Sequence, residues 1–235
     1  MAFRIELKKV TKQFGEFTAL KNVTGVIGEG DRISILGHNG AGKSTLLNVA
    51  ATLSKPSSGE VHFFEDDEEI AKLQEVRKKL TYLSHEPMLY PDLTSIENLR
   101  FTARMYGVTL SEDQFTTLLE SVGMGRARHR VFRTCSRGMQ QRLSMARALI
   151  PKPRMLLLDE PFSGLDNDGV DRMIKLLDSF SWVMVTHDLR MGYEMANRFW
   201  IFRRGKLVHN LAKKGLSFEK YMELSRVPTM EALSQ

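Results

Sequence analysis

The stretch Gly37-His38-Asn39-Gly40-Ala41-Gly42-Lys43-Ser44-Thr45 fits the pattern G-x-x-x-x-G-K-[ST]. Glycine lacks a Cβ, so the backbone at positions 37, 40 and 42 can turn its N–H groups towards one polyphosphate. Lys43 adds a positive charge for the β and γ phosphates, and the Ser44 hydroxyl is a hard oxygen ligand for Mg²⁺. We therefore interpret residues 37–45 as a phosphate-binding loop.

The residues on either side of this loop support the interpretation. Arg32-Ile33-Ser34-Ile35-Leu36 predicts a buried strand, and Ser44 to Leu53 predicts a helix whose N-terminus faces the phosphates. A phosphate loop requires this order of strand, loop and helix. The alternative, an ordinary glycine-rich turn, does not require a strand before it and a helix after it.

Composition limits the class of protein. The chain has 235 residues, 42% of them hydrophobic, which suits one α/β domain with a smaller subdomain. Cys135 is alone, so no intrachain disulfide can form and a reducing compartment is expected. No apolar run approaches the length of a membrane span, and residues 1–7 alternate like an edge strand and lack the apolar core of a signal peptide. We expect the chain to stay in the cytosol.

The net charge of +6 comes from Lys and Arg residues spread along the chain. A nucleic-acid interface would cluster them with aromatic residues, so no nucleic-acid partner is expected. A solvated basic surface accounts for the charge, and attraction to an anionic membrane leaflet is the alternative.

The first 35 residues predict antiparallel strands that turn at Gly15-Glu16 and at residues 28–31. Phe14 ends one of these strands and is interpreted either as a platform that stacks on a base or as a core residue. The acidic residues 65–69 follow a strand predicted over Glu60–Phe64 and indicate a solvated loop rather than a metal site.

The middle of the chain is predicted to be helical. Capping boxes at Thr94 and Ser111 open two helices. A third begins at Ser136-Arg137-Gly138 and ends before Pro151. Ser136 and Gly138 at its N-terminus are either a second anion-binding site or an ordinary helix cap.

Acidic residues follow the apolar strand Met155–Leu158. Asp159 at its end can hold Mg²⁺ through water, and Glu160 can accept a proton from a water that attacks the γ-phosphate. Acidic residues can also end a strand without a functional role. In a chain that has a phosphate loop, we favour roles in metal binding and catalysis. A second buried strand, Trp182–Thr186, ends at His187, which can hydrogen-bond the γ-phosphate and orient the water. A hairpin at residues 201–208 and a helix at 218–224 follow, and the last residues are predicted to be loosely ordered.

Taken in order, these motifs resemble the ATP-binding cassette ATPases, the nucleotide-binding subunits of ABC transporters. The resemblance covers essentially the whole chain. It implies an α/β fold: a P-loop NTPase (RecA-like) core with an N-terminal antiparallel β subdomain and an inserted α-helical subdomain. Residues 1–84 and 151–235 would form the core, and residues 85–150 the helical subdomain.

The resemblance also assigns roles. ATP and Mg²⁺ are the implied ligands, Glu160 is the implied general base and His187 the switch histidine. A dimer is implied, formed with a second copy or a homologous cassette, in which parts of one subunit close over ATP bound to the other. Separate membrane-spanning subunits are implied as partners, which places the chain on the cytoplasmic face of the cell membrane. The nucleotide would be bound by Phe14, Gly37, His38, Asn39, Gly40, Ala41, Gly42, Lys43, Ser44, Thr45, Ser136, Gly138 and Asp166, and the metal by Ser44 and Asp159.

Two segments differ from the family pattern. Cys135, Arg137 and Met139 replace a Leu, a Gly and the Gln of the signature Leu-Ser-Gly-Gly-Gln, and His85 stands where the family has a glutamine. With the stretch Leu-Tyr-Pro-Asp-Leu-Thr at 89–94, these variants resemble exporter-type ATPases, among them haem exporters of cytochrome c biogenesis and ABC-2 exporters. The alternatives are a soluble ABC ATPase acting on ribosomes or DNA and a degenerate nucleotide-binding scaffold.

Overall fold

A computed structural model describes residues 2–225. The prediction of a loosely ordered C-terminus concerns residues outside this range. The described residues divide into two compact units, residues 2–71 with 182–225 and residues 72–181. The domain boundaries implied by the resemblance differ from this division and stay a prediction.

The chain contains strands and helices in the following order: β1 (Phe3–Phe14), β2 (Phe17–Ile27), β3 (Arg32–Leu36), α1 (Lys43–Ala50), β4 (Ser58–Glu65), β5 (Glu68–Glu69), α2 (Leu73–Lys79), β6 (Leu80–Leu83), α3 (Ser95–Tyr106), α4 (Glu112–Ser121), α5 (Arg137–Leu149), β7 (Met155–Asp159), α6 (Asn167–Leu177), β8 (Ser181–Val185), α7 (Leu189–Met195), β9 (Arg198–Arg203), β10 (Lys206–Ala212) and α8 (Phe218–Ser225). Short 3₁₀ helices cover Gly125–Ala127 and Phe132–Thr134.

An antiparallel sheet with strand order β2-β1-β4-β5 forms part of the first unit. Alternate residues of β1, including Ile5, are buried, while Arg4 and Glu6 form an ion pair of 3.0 Å. The prediction of an edge strand was wrong, because β1 pairs with β2 on one side and β4 on the other. Its alternation reflects one buried face and one solvated face, which a central antiparallel strand also has.

Buried parallel strands form the other part of the first unit. β3 pairs in parallel with β8 and with β9, and β9 continues into an antiparallel hairpin with β10. Two of the buried strands predicted from the sequence, Arg32–Leu36 and Trp182–Thr186, are thus neighbours. The predicted hairpin at residues 201–208 is present and turns at Arg204-Gly205.

The second unit combines the parallel pair β6 and β7 with helices α2 to α6. Both predicted capping boxes are present. Thr94 Oγ1 accepts from the Glu97 amide at 3.3 Å, and Ser111 Oγ accepts from the Gln114 amide at 3.2 Å. These caps satisfy amides that the first turn of a helix leaves unpaired.

Some elements differ from the prediction. Helix α1 ends at Ala50 rather than Leu53, and Thr52 adopts a left-handed φ of 61°. The acidic run 65–69 contains a two-residue turn and the short strand β5, although it is mostly exposed as expected. Helices α6 and α7 were not predicted. Among residues 2–225, no helix is both long enough and apolar enough to span a bilayer.

Candidate functional site

The predicted phosphate loop connects β3 to α1 in the first unit. Gly37 and Gly42 have φ values of 152° and 100°, which side chains rarely adopt. A Cβ on Gly37 would lie 2.5 Å from the Phe202 carbonyl oxygen, and one on Gly42 would lie 2.4 Å from that of Ala19. The loop therefore requires glycine at both positions, for its conformation and for its close approach to the neighbouring backbone.

Lys43 holds the loop in a tight turn. Its Nζ donates to the carbonyl oxygens of Gly37 at 2.7 Å and His38 at 3.0 Å, and the residue is 7% exposed. The Ala41 amide donates to the His38 carbonyl at 3.1 Å. His38, Asn39, Gly40 and Ser44 are exposed, so the outer face of the loop is open to a ligand. The buried ammonium and the exposed backbone together suit a polyphosphate.

His187 follows the strand next to the phosphate loop. Ile35 of β3 is in register with Val185 of the parallel strand β8, so Gly37 and His187 leave the sheet at the same edge. His187 is exposed, and Asp188 caps the next helix by accepting from the Met191 amide at 2.9 Å. Ligands bind at the carboxyl ends of parallel strands in α/β folds, so His187 is placed where such a ligand would lie.

Phe14 is 54% exposed at the end of β1, and the Lys12 ammonium lies 5.1 Å from its ring centre. The alternative that Phe14 is a core residue was therefore wrong. An exposed ring remains available to stack on a base.

Asp159 ends β7 in the second unit and is 7% exposed. The Tyr82 hydroxyl, on the neighbouring strand β6, donates to Asp159 Oδ2 at 3.3 Å. Burial, and next the Asp159 charge, raise the pKa of Tyr82 well above its usual range, so the hydroxyl keeps its proton. Arg147 donates to the Tyr82 backbone oxygen at 3.0 Å. Sequence reasoning missed Tyr82, because nothing in the sequence shows which side chain of β6 faces Asp159.

Glu160 follows Asp159 with φ of 52°, a left-handed conformation that is uncommon for a residue other than glycine. The side-chain Nε2 of Gln141 donates to the backbone oxygen of Pro161 at 2.9 Å and to that of Glu160 at 3.4 Å. Gln141 is 5% exposed on α5. It fixes the turn that carries Glu160. Its position on a buried helix is the only signal for it in the sequence.

Ser136 and Gly138 are both found at the start of α5. Ser136 Oγ accepts from the Met139 amide at 3.3 Å, which makes it the helix cap. A Cβ on Gly138 would lie 2.5 Å from the Gly164 carbonyl oxygen, so glycine lets the helix start approach the loop before α6. These structural tasks do not conflict with anion binding, because the first amides of a helix point outwards from its N-terminus.

Asp166 caps α6 by accepting a hydrogen bond from the Gly169 amide at 2.9 Å. Its two carboxylate oxygens also accept from Arg142 Nη2, at 3.1 and 3.2 Å. Its side chain is 65% exposed. The structure therefore gives Asp166 a role within the chain, and its predicted contact with a nucleotide stays a prediction.

Two of the three residues that differ from the signature pattern, Cys135 and Arg137, have structural explanations. Cys135 is buried, and burial raises the pKa of its thiol, so it fills an apolar position as a neutral group. Arg137 Nη2 lies 3.3 Å from His85 Nε2.

The predicted magnesium ligands belong to different units, Ser44 to the first and Asp159 to the second. Both offer hard oxygen, which Mg²⁺ prefers. Within the described part of the chain, no group of at least three His, Cys, Asp or Glu side chains is arranged to hold a metal ion.

The fold and loop define a P-loop nucleotide-binding protein of the α/β class. The sequence model of the ABC transporter family matches residues 20–163, and the chain belongs to this family. It is 30% identical to the ATP-binding cassette MJ0796, solved as a dimer in a post-hydrolysis state bound to ADP and Pi, with a TM-score of 0.78 over 90% of this chain and 100% of that one. The predicted fold class is confirmed.

The chain is also similar in sequence to curated ATP-binding proteins. The chain is 32% identical to the spermidine/putrescine import ATP-binding protein PotA of Pseudomonas aeruginosa, over 86% of this chain and 58% of the relative. It is 36% identical to the glucose import ATP-binding protein GlcV of Saccharolobus solfataricus, over 87% of this chain and 62% of the relative. The chain therefore spans less than two thirds of the length of these relatives.

Proposed function

We propose that this protein is the ATP-binding and ATP-hydrolysing subunit of an ABC transporter. The observation that carries the proposal is the glycine-dependent loop closed by Lys43, in a fold shared with a cassette bound to ADP and Pi. The cytoplasmic face of the cell membrane is the location that fits this role.

ATP is the substrate, and residues 37–45 bind its phosphates while Phe14 stacks on the adenine. Glu160 takes the proton of the attacking water, and His187 orients that water from the neighbouring strand end. Bound Mg²⁺, held by Ser44 and Asp159, would neutralise charge that develops on the phosphates. Tyr82 would keep the Asp159 carboxylate in one orientation through its hydrogen bond.

The working form is a dimer in which Ser136, Gly138 and Asp166 of one subunit meet the ATP held by the other. The dimer of MJ0796 supports this proposal. Electrostatics also favours it, because a second helix N-terminus adds positive potential around a polyphosphate. The second subunit is either a copy of this chain or a homologous cassette.

Membrane-spanning subunits are the proposed partners. An exposed apolar patch on the second unit, formed by Tyr90, Phe101 and Met105, supports the presence of a protein partner. The rings of Tyr90 and Phe101 pack edge to face at 4.7 Å, and Met105 lies one helical turn further along α3 and is 71% exposed. This patch provides apolar area that a docking segment would cover.

Export is the finer proposal for the direction of transport. It rests on the resemblance of residues 89–94, His85 and the signature segment to exporter-type ATPases. The names of PotA and GlcV describe import, so the relatives do not support this part. Finding this chain with a membrane protein that works with an external substrate-binding protein would overturn it. The soluble ATPase alternative is not favoured by the comparisons.

The experiment combines two variants of the full chain. Lys43→Ala should lose nucleotide binding, because it removes the charge inside the loop. Glu160→Gln should bind ATP, hydrolyse it at least a hundredfold more slowly, as expected for loss of a general base, and accumulate as a dimer. The measurements are nucleotide affinity, phosphate release and mass by light scattering. Equal turnover of Glu160→Gln and the parent would contradict the assigned base.

The partner is identified with the same Glu160→Gln chain, tagged and purified from gently solubilised membranes with ATP present. A stoichiometric polytopic membrane protein supports the transporter. Recovery with ribosomes or DNA alone contradicts it.

A further inference from the structure

Arg137 contacts two other loops of the second unit. Its Cγ and Cδ lie 3.0 and 3.2 Å from the position of a Cβ on Gly164, so the aliphatic stem packs on the loop before α6. Its guanidinium reaches His85, 3.3 Å away, in the loop that follows β6. One side chain at the start of α5 therefore touches both neighbouring loops.

The direction of the hydrogen bond is fixed by chemistry. A guanidinium has only N–H donors, so His85 Nε2 must accept. The bond therefore requires the imidazole tautomer that carries its hydrogen on Nδ1. A side chain with only donors could not replace His85 in this bond, whereas a glutamine could, because its side-chain oxygen accepts.

The two residues that make this bond are also two positions where the sequence differs from the family pattern. A glycine in place of Arg137 has no side chain to reach residue 85. The contact therefore depends on Arg137, and it gives His85 a task that does not involve metal binding, for which imidazole suits Mg²⁺ poorly.

We propose that Arg137 and His85 form a positioning pair that ties the loop after β6 to the start of α5, and so sets the orientation of Ser136 and Gly138. This rests on the proposed function, in which the start of α5 closes over ATP bound to a second subunit. Loss of either partner leaves the helix start less well placed and weakens ATP-dependent dimerisation. Both side chains are exposed, so the effect is that of one solvated hydrogen bond.

The test is a double-mutant cycle in the Glu160→Gln background. Arg137→Met removes the donors but keeps the stem against Gly164, and His85→Ala removes the acceptor. The readout is the ATP concentration that gives half-maximal dimer in sedimentation experiments. Each single variant should raise it about threefold to tenfold. The double variant should need no more ATP for half-maximal dimer than the more impaired of the two single variants.

His85→Gln is the matched control, because it keeps an acceptor and should stay within about twofold of the parent. Thermal unfolding shows whether each variant is folded. The imidazole ¹⁵N shifts should report an Nδ1–H tautomer for His85 and should change in Arg137→Met.

The outcomes separate this proposal from the proposed function. If the Glu160→Gln parent does not dimerise with ATP, both are wrong. If the parent dimerises and the two single variants behave like it, or if their effects simply add, the positioning pair alone is overturned.

Discussion

Replacing Gly138 by alanine tests the packing of the α5 start against the loop before α6. The added Cβ would lie 2.5 Å from the Gly164 carbonyl oxygen, whereas ordinary contacts begin at 3.4 Å. The helix start or the loop must therefore move by about 0.9 Å. Such overpacking costs about 1–3 kcal/mol, while alanine is a better helix former than glycine by up to about 1 kcal/mol.

The two effects oppose each other, so the net loss of stability is about 0–3 kcal/mol. For a chain of this size, each kcal/mol lowers Tm by about 2–4 °C, and the variant stays folded. Activity should respond far more, because misplacing a reactive group by about 1 Å can lower the rate about a hundredfold. We expect ATP hydrolysis to fall about tenfold to a hundredfold, with nucleotide binding by residues 37–45 unchanged.

The assay measures phosphate release, nucleotide affinity and Tm for Gly138→Ala and for Gly28→Ala as control. A Cβ on Gly28 would meet only Asp31 Oδ2, at 3.7 Å, so the control should match the parent. Hydrolysis by Gly138→Ala within about twofold of the parent would refute the argument that this close approach sets the position of the helix start.

Further predictions follow from single contacts. Tyr82→Phe removes the hydrogen bond to Asp159 and should raise the Mg²⁺ concentration for half-maximal hydrolysis about threefold to tenfold, measured by metal titration. The pKa of His62 is raised, mainly by its hydrogen bond to Glu69, so its stabilisation is full below about pH 6.5 and is lost as pH rises through the higher folded-state value. Urea unfolding should show a loss of about 0.2–1 kcal/mol across this range, absent in His62→Gln. Thr94→Ala removes a helix cap and should lower stability by about 1 kcal/mol in the same assay.

Features set by neighbouring residues could be predicted from the sequence. The phosphate loop, the capping boxes at Thr94 and Ser111, and the apolar strands all depend on patterns only a few residues long. The exposed position of Phe14 could not be predicted, because a single aromatic residue at a strand end fits either a core or a surface.

Features set by distant residues could not be predicted. The position of β1 between two strands depends on its pairing with β4, some fifty residues away. Helix α6 is an exception, because its cap Asp166 is a local signal that was assigned to a nucleotide contact instead. Helix α7 has only 7 residues, too few for a clear helical pattern. The Arg137–His85 contact spans 52 residues, and only the fold shows that the two residues meet.

Gln141 links helix α5 to the turn that carries Glu160. A left-handed residue such as Glu160 costs on the order of 1 kcal/mol and persists only when its surroundings fix it. The buried side-chain amide of Gln141 supplies that constraint, because it donates hydrogen bonds to the backbone oxygens of Glu160 and Pro161. Because Gln141 lies on the same helix as Ser136 and Gly138, a shift of α5 would move the turn that carries the proposed base. The residues proposed to close over a partner's ATP and the residue proposed to hydrolyse this subunit's own ATP are therefore coupled through one helix.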